Sequence, residues 1–323
     1  MSMPSAMTTS GPVDRDRLGP TLPHEHLFIN LLRERRGDGL ITDERLVTAE
    51  VGAFAELGGG TIVDLTSAEL TVGAAPDPRS DAAGDTRDPE NVLAVARVAK
   101  AAGLNVVLGT GHYRDPFLDR DWFDRHDPDQ VAERLVRDLT EGFPGTSTRA
   151  GIIGEIGADK WYISAAEERS FRAAARAHRA TGAAIYTHAA RWPVGLPQLD
   201  LLAAEDVAPE RIAIGHCDLV EKPGYALEIA RRGAYVGIDT IFTANQHEVR
   251  RRVALVVELA RAGHLDQILL SHDVCVKSQL SAYGGTGYTF LQTTFRDALR
   301  EAGIDDGEFE RITEDNPARL LCG

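Results

Sequence analysis

Short apolar runs alternate with amphipathic segments along most of the chain. The runs are rich in isoleucine, valine and leucine, a composition that is typical of parallel strands buried on both faces. Eight of them lie at 21–28, 61–66, 105–109, 151–156, 183–188, 212–216, 235–238 and 268–271. The pattern therefore predicts eight parallel strands.

The segments between these runs carry the start and stop signals of helices. Asp88 precedes Pro89, and Gly103 follows the last apolar position of that segment. Ser164 and Glu167 form a capping box, and the helix that they begin should end at Gly182. Another start signal stands at 127–129, and further helices are predicted at 44–57, 223–232, 247–263 and 290–302.

Eight strand–helix units favour closure of the sheet into a (β/α)8 barrel, a TIM barrel, over an open doubly wound sheet. No linker or change of composition interrupts the pattern, so residues 18–323 are predicted to form one barrel domain. The first 17 residues lack any such periodicity and are expected to form a disordered tail.

Composition excludes several classes of function. The 323 residues carry a net charge of −14, so the basic footprint of a nucleic-acid-binding protein is absent. Three cysteines do not make a disulfide framework, and no apolar run approaches the roughly 20 residues needed to span a bilayer. With no secretory signal pattern at the N-terminus, we expect a cytoplasmic protein that acts on a small molecule, without nucleic-acid or membrane partners.

Candidate chemistry begins at the end of the first predicted strand. His24 and His26 alternate with Glu25, which places both imidazoles on one side of the strand. Two imidazoles about 6.7 Å apart along a strand can bind a borderline metal ion such as Zn²⁺. A pair of histidines at this spacing also arises by chance, so the motif alone decides little.

Metal-competent side chains recur where four other predicted strands end. They are Glu155 on the fourth strand, His188 on the fifth, His216 on the sixth and Asp273 on the eighth. The carboxyl ends of all strands meet at one mouth of a barrel, which is where barrel enzymes hold their active sites. Convergence of six such side chains predicts a metal centre at this mouth.

The order of these residues resembles the amidohydrolase superfamily, and the local sequences resemble its phosphotriesterase family more closely. They are Leu-Pro-His-Glu-His-Leu, Arg-Ala-Gly-Ile-Ile-Gly-Glu-Ile-Gly, Ile-Gly-His-Cys-Asp, and Ser-His-Asp with a later Tyr-Gly-Gly-Thr-Gly-Tyr. The resemblance covers residues 18–322 and is closest to the phosphotriesterase-related subgroup.

The resemblance implies two divalent metal ions, with Zn²⁺ expected and Mn²⁺, Co²⁺ or Fe²⁺ as alternatives. His24, His26 and Asp273 would hold the more buried ion, and His188 and His216 the more exposed one. Many family members bridge the ions with a carboxylated lysine, which this sequence lacks. The subgroup uses the glutamate of Gly-Glu-Ile-Gly, so Glu155 is the expected bridge, although one residue along a strand normally reverses its face.

The implied reaction is attack by an activated hydroxide, with Asp273 as the catalytic residue that accepts and transfers the proton. The expected substrate is a carboxylic ester, lactone or amide that carries an anionic group. Phosphotriester or phosphodiester hydrolysis is one alternative, and a binding barrel without catalysis is another. Barrels of this family often form dimers, so a homodimer is a further expectation.

Substrate contacts are predicted on the loops that follow the strands. Tyr113 ends the third strand, Arg191 follows His188, and Lys277 and Tyr283 follow Asp273. A cationic side chain among them could bind a carboxylate, sulfonate or phosphate. For Tyr113 a role in packing, and for Lys277 a place on the solvated surface, are equally compatible with the sequence.

Overall fold

A computed structural model describes residues 4–71, 85–158 and 160–323. The strands are β1 (Ser5–Thr8), β2 (Gly11–Asp14), β3 (Thr21–Glu25), β4 (Ile29–Asn30), β5 (Leu40–Ile41), β6 (Thr61–Asp64), β7 (Asn105–Thr110), β8 (Ile152–Gly157), β9 (Ile185–His188), β10 (Ile212–Ile214), β11 (Tyr235–Ile238) and β12 (Ile268–Leu270). The α-helices are α1 (Leu32–Arg35), α2 (Glu44–Glu56), α3 (Pro89–Ala102), α4 (Arg120–Phe123), α5 (Pro128–Thr140), α6 (Ala165–Thr181), α7 (Gly195–Ala203), α8 (Tyr225–Arg231), α9 (Gln246–Arg261), α10 (Arg296–Glu301), α11 (Asp306–Glu310) and α12 (Asn316–Cys322).

Eight of the described strands form one parallel sheet in the order β12-β11-β10-β9-β8-β7-β6-β3. Its two end strands meet where the amide of Asp273 donates to the carbonyl of His24 at 3.2 Å. The hydroxyl of Ser271 also accepts from the amide of His24 at 3.1 Å. The sheet is thus rolled into a barrel, and the predicted fold class is confirmed.

The predicted helix signals act as capping groups. The side chain of Asp88 accepts from the amides of Glu90 and Asn91 at the start of α3. Ser164 and Glu167 form the predicted capping box of α6, which ends at Gly182 in a left-handed conformation. Capping satisfies amides that the first turn of a helix leaves without partners, and so it fixes where each crossover begins.

Alternate residues of the barrel strands contribute to two apolar clusters. Ile62 and Val106 pack in the large cluster that includes the helices. Their neighbours Val63 and Val107 belong to a second cluster, which also contains Ile152. Both sides of the sheet are therefore buried, as the near-continuous apolar runs predict. Among the described helices, none combines the length and the apolar character that crossing a membrane requires.

The N-terminal segment corrects one prediction. Residues expected to be a disordered tail instead form an antiparallel hairpin of β1 and β2. Ala6 is 2% exposed and joins the cluster of Val63 and Val107, and the amide of Thr9 donates to the carbonyl of Val106. The prediction was wrong for residues 5–14 because a four-residue strand is too short to show a period of its own.

A charged residue at position 6 should destabilise the protein. Ala6→Asp would bury a carboxylate without a partner at the foot of the barrel, which costs on the order of 2 kcal/mol or more. We expect a clear fall in the midpoint of thermal unfolding, measured by circular dichroism. Ser5→Asp is the control, because Ser5 is exposed on the opposite face of the same strand. Equal melting of both variants and the unmodified protein would contradict a structural role for the hairpin.

Candidate metal centre

Six predicted side chains meet at the carboxyl ends of the barrel strands. One group brings together ligand atoms of His24, His26 and Asp273, all within 4.8 Å of one another. The Nε2 atom of His26 lies 3.3 Å from Oδ1 of Asp273, and that of His24 lies 3.8 Å from it. A second group consists of Glu155, His188 and His216.

The Glu155 carboxylate lies between the two groups. Its Oε2 atom is 3.3 Å from Nε2 of His24, 3.1 Å from Nδ1 of His188 and 3.5 Å from Nε2 of His216. Its Oε1 atom is 3.7 Å from Nε2 of His26. One carboxylate thus contacts all four imidazoles, which is the arrangement that a bridge between two ions requires.

A bulge in β8 aims this carboxylate into the barrel. Ile153 pairs with Ile185 and Ile156 pairs with Thr187, so three steps along β8 match two steps along β9. The extra residue removes the strict alternation that would otherwise turn Glu155 away from the histidines. Gly154 makes the bulge possible, since its φ is +142° and a Cβ there would lie 2.4 Å from the carbonyl oxygen of Tyr186.

Asp239, directly after β11, orients two of the histidines. Its Oδ2 accepts from Nδ1 of His24 at 2.8 Å, and its Oδ1 accepts from Nδ1 of His216 at 2.9 Å. The hydroxyl of Tyr186 and the amide of His216 also donate to this carboxylate, each at 2.8 Å. Both rings therefore direct Nε2 toward the centre of the site. Asp239 was not among the predicted site residues, although a carboxylate at the end of a strand was the available signal.

Thr66 orients a third ring. Its hydroxyl lies 3.0 Å from Nδ1 of His26, which leaves Nε2 of that ring to face Asp273. The amide of Thr66 donates in turn to Oδ1 of Asp64 at 3.0 Å. Partners of this kind fix the tautomer and the direction of a metal-binding histidine.

The field of the site favours positive charge near its centre. Burial opposes protonation of His24, but the carboxylates of Asp239 and Glu155 outweigh it and raise the pKa of His24 to about 10. Burial also works against the charge on Glu155, yet the imidazoles of His188 and His24 hold the pKa of that carboxyl well below its ordinary value.

The donor set fits divalent metal ions. The Nε2 atom of His24 is buried and has no hydrogen-bond partner among the described residues, so the ring nitrogen held toward the centre is left for another ligand. Imidazole nitrogens with carboxylate oxygens form the ligand set of zinc hydrolases. Divalent ions would replace the protons that the charges of Asp239 and Glu155 otherwise hold on the imidazoles.

A cavity of about 450 Å³ opens above these side chains. Tyr113 and Arg191 line it, and the hydroxyl of Tyr113 lies 3.3 Å from Nδ1 of His188. Lys277 and Tyr283 are not among its lining residues, and Tyr283 is 57% exposed. The loop that carries them is drawn outward, because Glu50 accepts from Ser281 and Ala282. The placement thus supports a substrate role for Tyr113 and Arg191, and leaves that of Lys277 and Tyr283 a prediction without support.

Two further arginines line the cavity, Arg35 and Arg114. Arg114 forms an ion pair with Glu34 at 2.7 Å, and its guanidinium carbon lies 4.9 Å from the centre of the Tyr113 ring. Among the described residues, neither Arg35 nor Arg191 forms an ion pair with a carboxylate. Positive charge on this wall adjoins the metal-competent groups.

Comparison with known proteins relates the chain to one family. Residues 82–321 match the sequence model of the phosphotriesterase family. The phosphotriesterase homology protein of Escherichia coli is 32% identical over 307 residues, which cover 95% of this chain and 99% of that protein. Its crystal structure, described as having phosphate in the active site, superposes with a TM-score of 0.85.

Two other relatives carry names of specific hydrolases. A crystal structure of a lactonase from Listeria monocytogenes has a TM-score of 0.86 and 29% identity, and the match covers 98% of each chain. An N-acetyltaurine hydrolase of Salmo salar is 26% identical over 97% of this chain and 97% of its own. Esters and amides are thus both represented among the relatives.

Removing the charge of Asp239 should weaken metal binding. Asp239→Asn would remove the charge and keep an acceptor for only one of the rings of His24 and His216. Loss of such a partner typically costs about 10- to 100-fold in metal affinity. Competition with a chromogenic chelator would measure the affinity for zinc.

Asp138→Asn is the matched control, since Asp138 is a buried carboxylate that bonds Thr86, Thr110 and Arg137 but no histidine. Equal zinc affinity in the two variants would show that Asp239 does not support the ligands.

Proposed function

The chain belongs to the phosphotriesterase family and is a hydrolase, and we propose that it uses two divalent metal ions to hydrolyse a carboxylic ester, lactone or amide. The observation that carries this proposal is the position of Glu155, whose carboxylate contacts four histidines from two ligand groups. A mononuclear site would not need a carboxylate between both groups. Zinc is the proposed metal, because nitrogen donors predominate.

His24, His26 and Asp273 would hold one ion, His188 and His216 the other, and Glu155 would bridge them. When bound, such a pair of ions lowers the pKa of a water molecule to about 7 and polarises the oxygen of the bond under attack. The chain supplies the proton acceptor. The Asp273 carboxylate faces the cavity next to the ligand groups, so it can take the proton of the attacking water and deliver it to the leaving group.

The names of the relatives support acyl chemistry. A lactonase cleaves a cyclic ester and an N-acetyltaurine hydrolase cleaves an amide, and both reactions pass through attack on a carbonyl carbon. The same ligand groups could serve either bond, since fold and metals do not select the leaving group. Selection is left to the cavity wall.

We propose further that the substrate carries an anionic group. Arg35, Arg114 and Arg191 line the cavity, and Arg191 holds a left-handed backbone with φ of 69°. A non-glycine residue in this region costs roughly 1–2 kcal/mol, and such residues cluster at functional sites. Arg191 lies in a turn closed by two backbone hydrogen bonds. The amide of Trp192 donates to the carbonyl of Ala190 at 2.8 Å, and the amide of Val194 donates to the carbonyl of Trp192 at 2.7 Å. N-acetyltaurine, an amide with an anionic end, has the chemistry that this wall would accept.

Asp273→Asn should abolish turnover without unfolding the protein. Loss of a proton acceptor of this kind lowers kcat by about 10²- to 10⁴-fold. The test starts with elemental analysis of the unmodified protein, which should contain about two divalent ions per chain. Panels of lactones, esters and amides then identify a substrate for comparison of kcat between variants.

Asp297→Asn is the control, because Asp297 is exposed and lies on α10. Full activity of Asp273→Asn would refute its catalytic role, and metal-bound protein that hydrolyses nothing on the panels would favour a binding protein.

Arg191→Gln should reduce the preference for anionic substrates. The matched probes are the neutral 4-nitrophenyl butyrate and the anionic 4-nitrophenyl hydrogen succinate. A hydrogen bond to a charged group contributes about 1.5–3 kcal/mol, so kcat/KM for the anionic probe should fall at least about tenfold. The neutral probe should be unaffected, as should both probes with the control Arg231→Gln, which changes an exposed arginine outside the cavity lining. An equal loss with both probes would contradict an anion-binding role.

A further inference from the structure

Glu25 lies between two proposed metal ligands, yet its side chain does not face the cavity. The alternation that turns His24 and His26 inward turns Glu25 into the wall between β3 and the segment after β12. The residue is 0% exposed. A buried carboxylate is costly unless it is satisfied by donors, so its partners identify what it does.

Among the described residues, all the hydrogen-bond partners of the Glu25 carboxylate belong to the segment that carries Asp273. Its Oε1 atom accepts from the hydroxyl of Ser271 at 2.8 Å, and from the amide and Nδ1 of His272 at 2.8 and 3.0 Å. Its Oε2 atom accepts from the amide of Val274 at 2.9 Å. These donors lie on both sides of Asp273 in the chain. One carboxylate therefore accepts hydrogen bonds from the backbone before and after the catalytic residue.

Hydrogen bonds on both sides of Asp273 are required because the backbone of this residue is strained. Its φ of 53° lies in the left-handed region, which costs a non-glycine residue roughly 1–2 kcal/mol. Conformations of this kind persist only where the surroundings over-determine them. The Glu25 carboxylate supplies that constraint, and the ring of His272 extends it by accepting from the amide of Leu291 at 3.1 Å.

We infer that Glu25 is the positioning residue for Asp273, holding its carboxylate toward the metal ligands and the cavity. The inference rests on the proposed function, in which Asp273 moves the proton. Glu25 itself would touch neither metal nor substrate. Its effect should therefore fall on kcat and on metal retention, and not on KM.

Glu50 on α2 offers a matched control, because it binds the outer part of the same loop. Glu50 is 5% exposed and accepts from the amide and hydroxyl of Ser281 and from the amide of Ala282, at 2.7–3.0 Å. Glu50→Gln and Glu25→Gln both remove a buried carboxylate that ties down the loop after β12. Each places an amide –NH₂ opposite existing donors, so a loss of thermal stability is expected in both. Only Glu25→Gln loosens the residues next to Asp273.

Three measurements on the full chain separate positioning from a structural role. Amide hydrogen exchange of residues 271–274, followed by mass spectrometry in metal-free protein, should accelerate in Glu25→Gln and not in Glu50→Gln. In zinc-loaded protein, kcat should fall at least about tenfold in Glu25→Gln with KM within about twofold. Zinc should also be lost faster to a chelator from Glu25→Gln than from Glu50→Gln.

Unchanged exchange at 271–274 in Glu25→Gln would overturn the inference, because the Glu25 carboxylate would then not constrain the backbone around Asp273. Faster exchange with kcat and zinc loss equal to those of Glu50→Gln would also overturn it, since the loop would be loosened without consequence for Asp273. If the unmodified protein binds no metal and hydrolyses no probe, the proposed function fails instead. In that case the exchange measurement in metal-free protein still shows whether Glu25 constrains the backbone at residues 271–274.

Discussion

Charge pairing between buried carboxylates and imidazoles is the interaction on which the mouth of the barrel depends. Glu155 and Asp239 are almost completely buried, and an ionised carboxylate without partners would be prohibitively costly there. Asp239 is satisfied by the outer nitrogens of His24 and His216, and Glu155 lies against the inner nitrogens of those rings and is hydrogen-bonded to Nδ1 of His188. The two carboxylates thus hold the same rings from opposite sides, which fixes the orientation of each ring before any ion binds.

Barrel strands form the base of this site, and loops form its rim. Strands buried on both faces hold the ligand-bearing residues at their ends, and the N-terminal hairpin packs on the apolar cluster inside the barrel. Above the ligands, the cavity is lined by loop residues such as Arg191 and Trp192, which no barrel strand constrains. Relatives whose names specify a lactone and an amide can therefore resemble one chain, because family and fold do not fix the substrate.

The loop after β12 connects the candidate metal centre to the helical layer. Its first residues belong to the metal centre and are held by Glu25, while Ser281 and Ala282 are held by Glu50 on α2. The outer part of the loop is therefore anchored to the helical layer and turned from the cavity. Arg35, Arg114 and Arg191 therefore line the cavity, and Lys277 and Tyr283 do not.

The sequence by itself determined the eight strands, the capped helices and the six converging side chains, because periodicity and capping are local properties and strand ends share one barrel mouth. It could not determine that Glu155 points inward, since the bulge in β8 depends on its register against β9. It gave no weight to Asp239, because a lone aspartate gains meaning only from the two rings it contacts. The hairpin at residues 5–14 and the outward course of Lys277 and Tyr283 likewise depend on contacts with distant segments. Only the tertiary structure decides such contacts, because their free energy arises between residues that the chain order keeps apart.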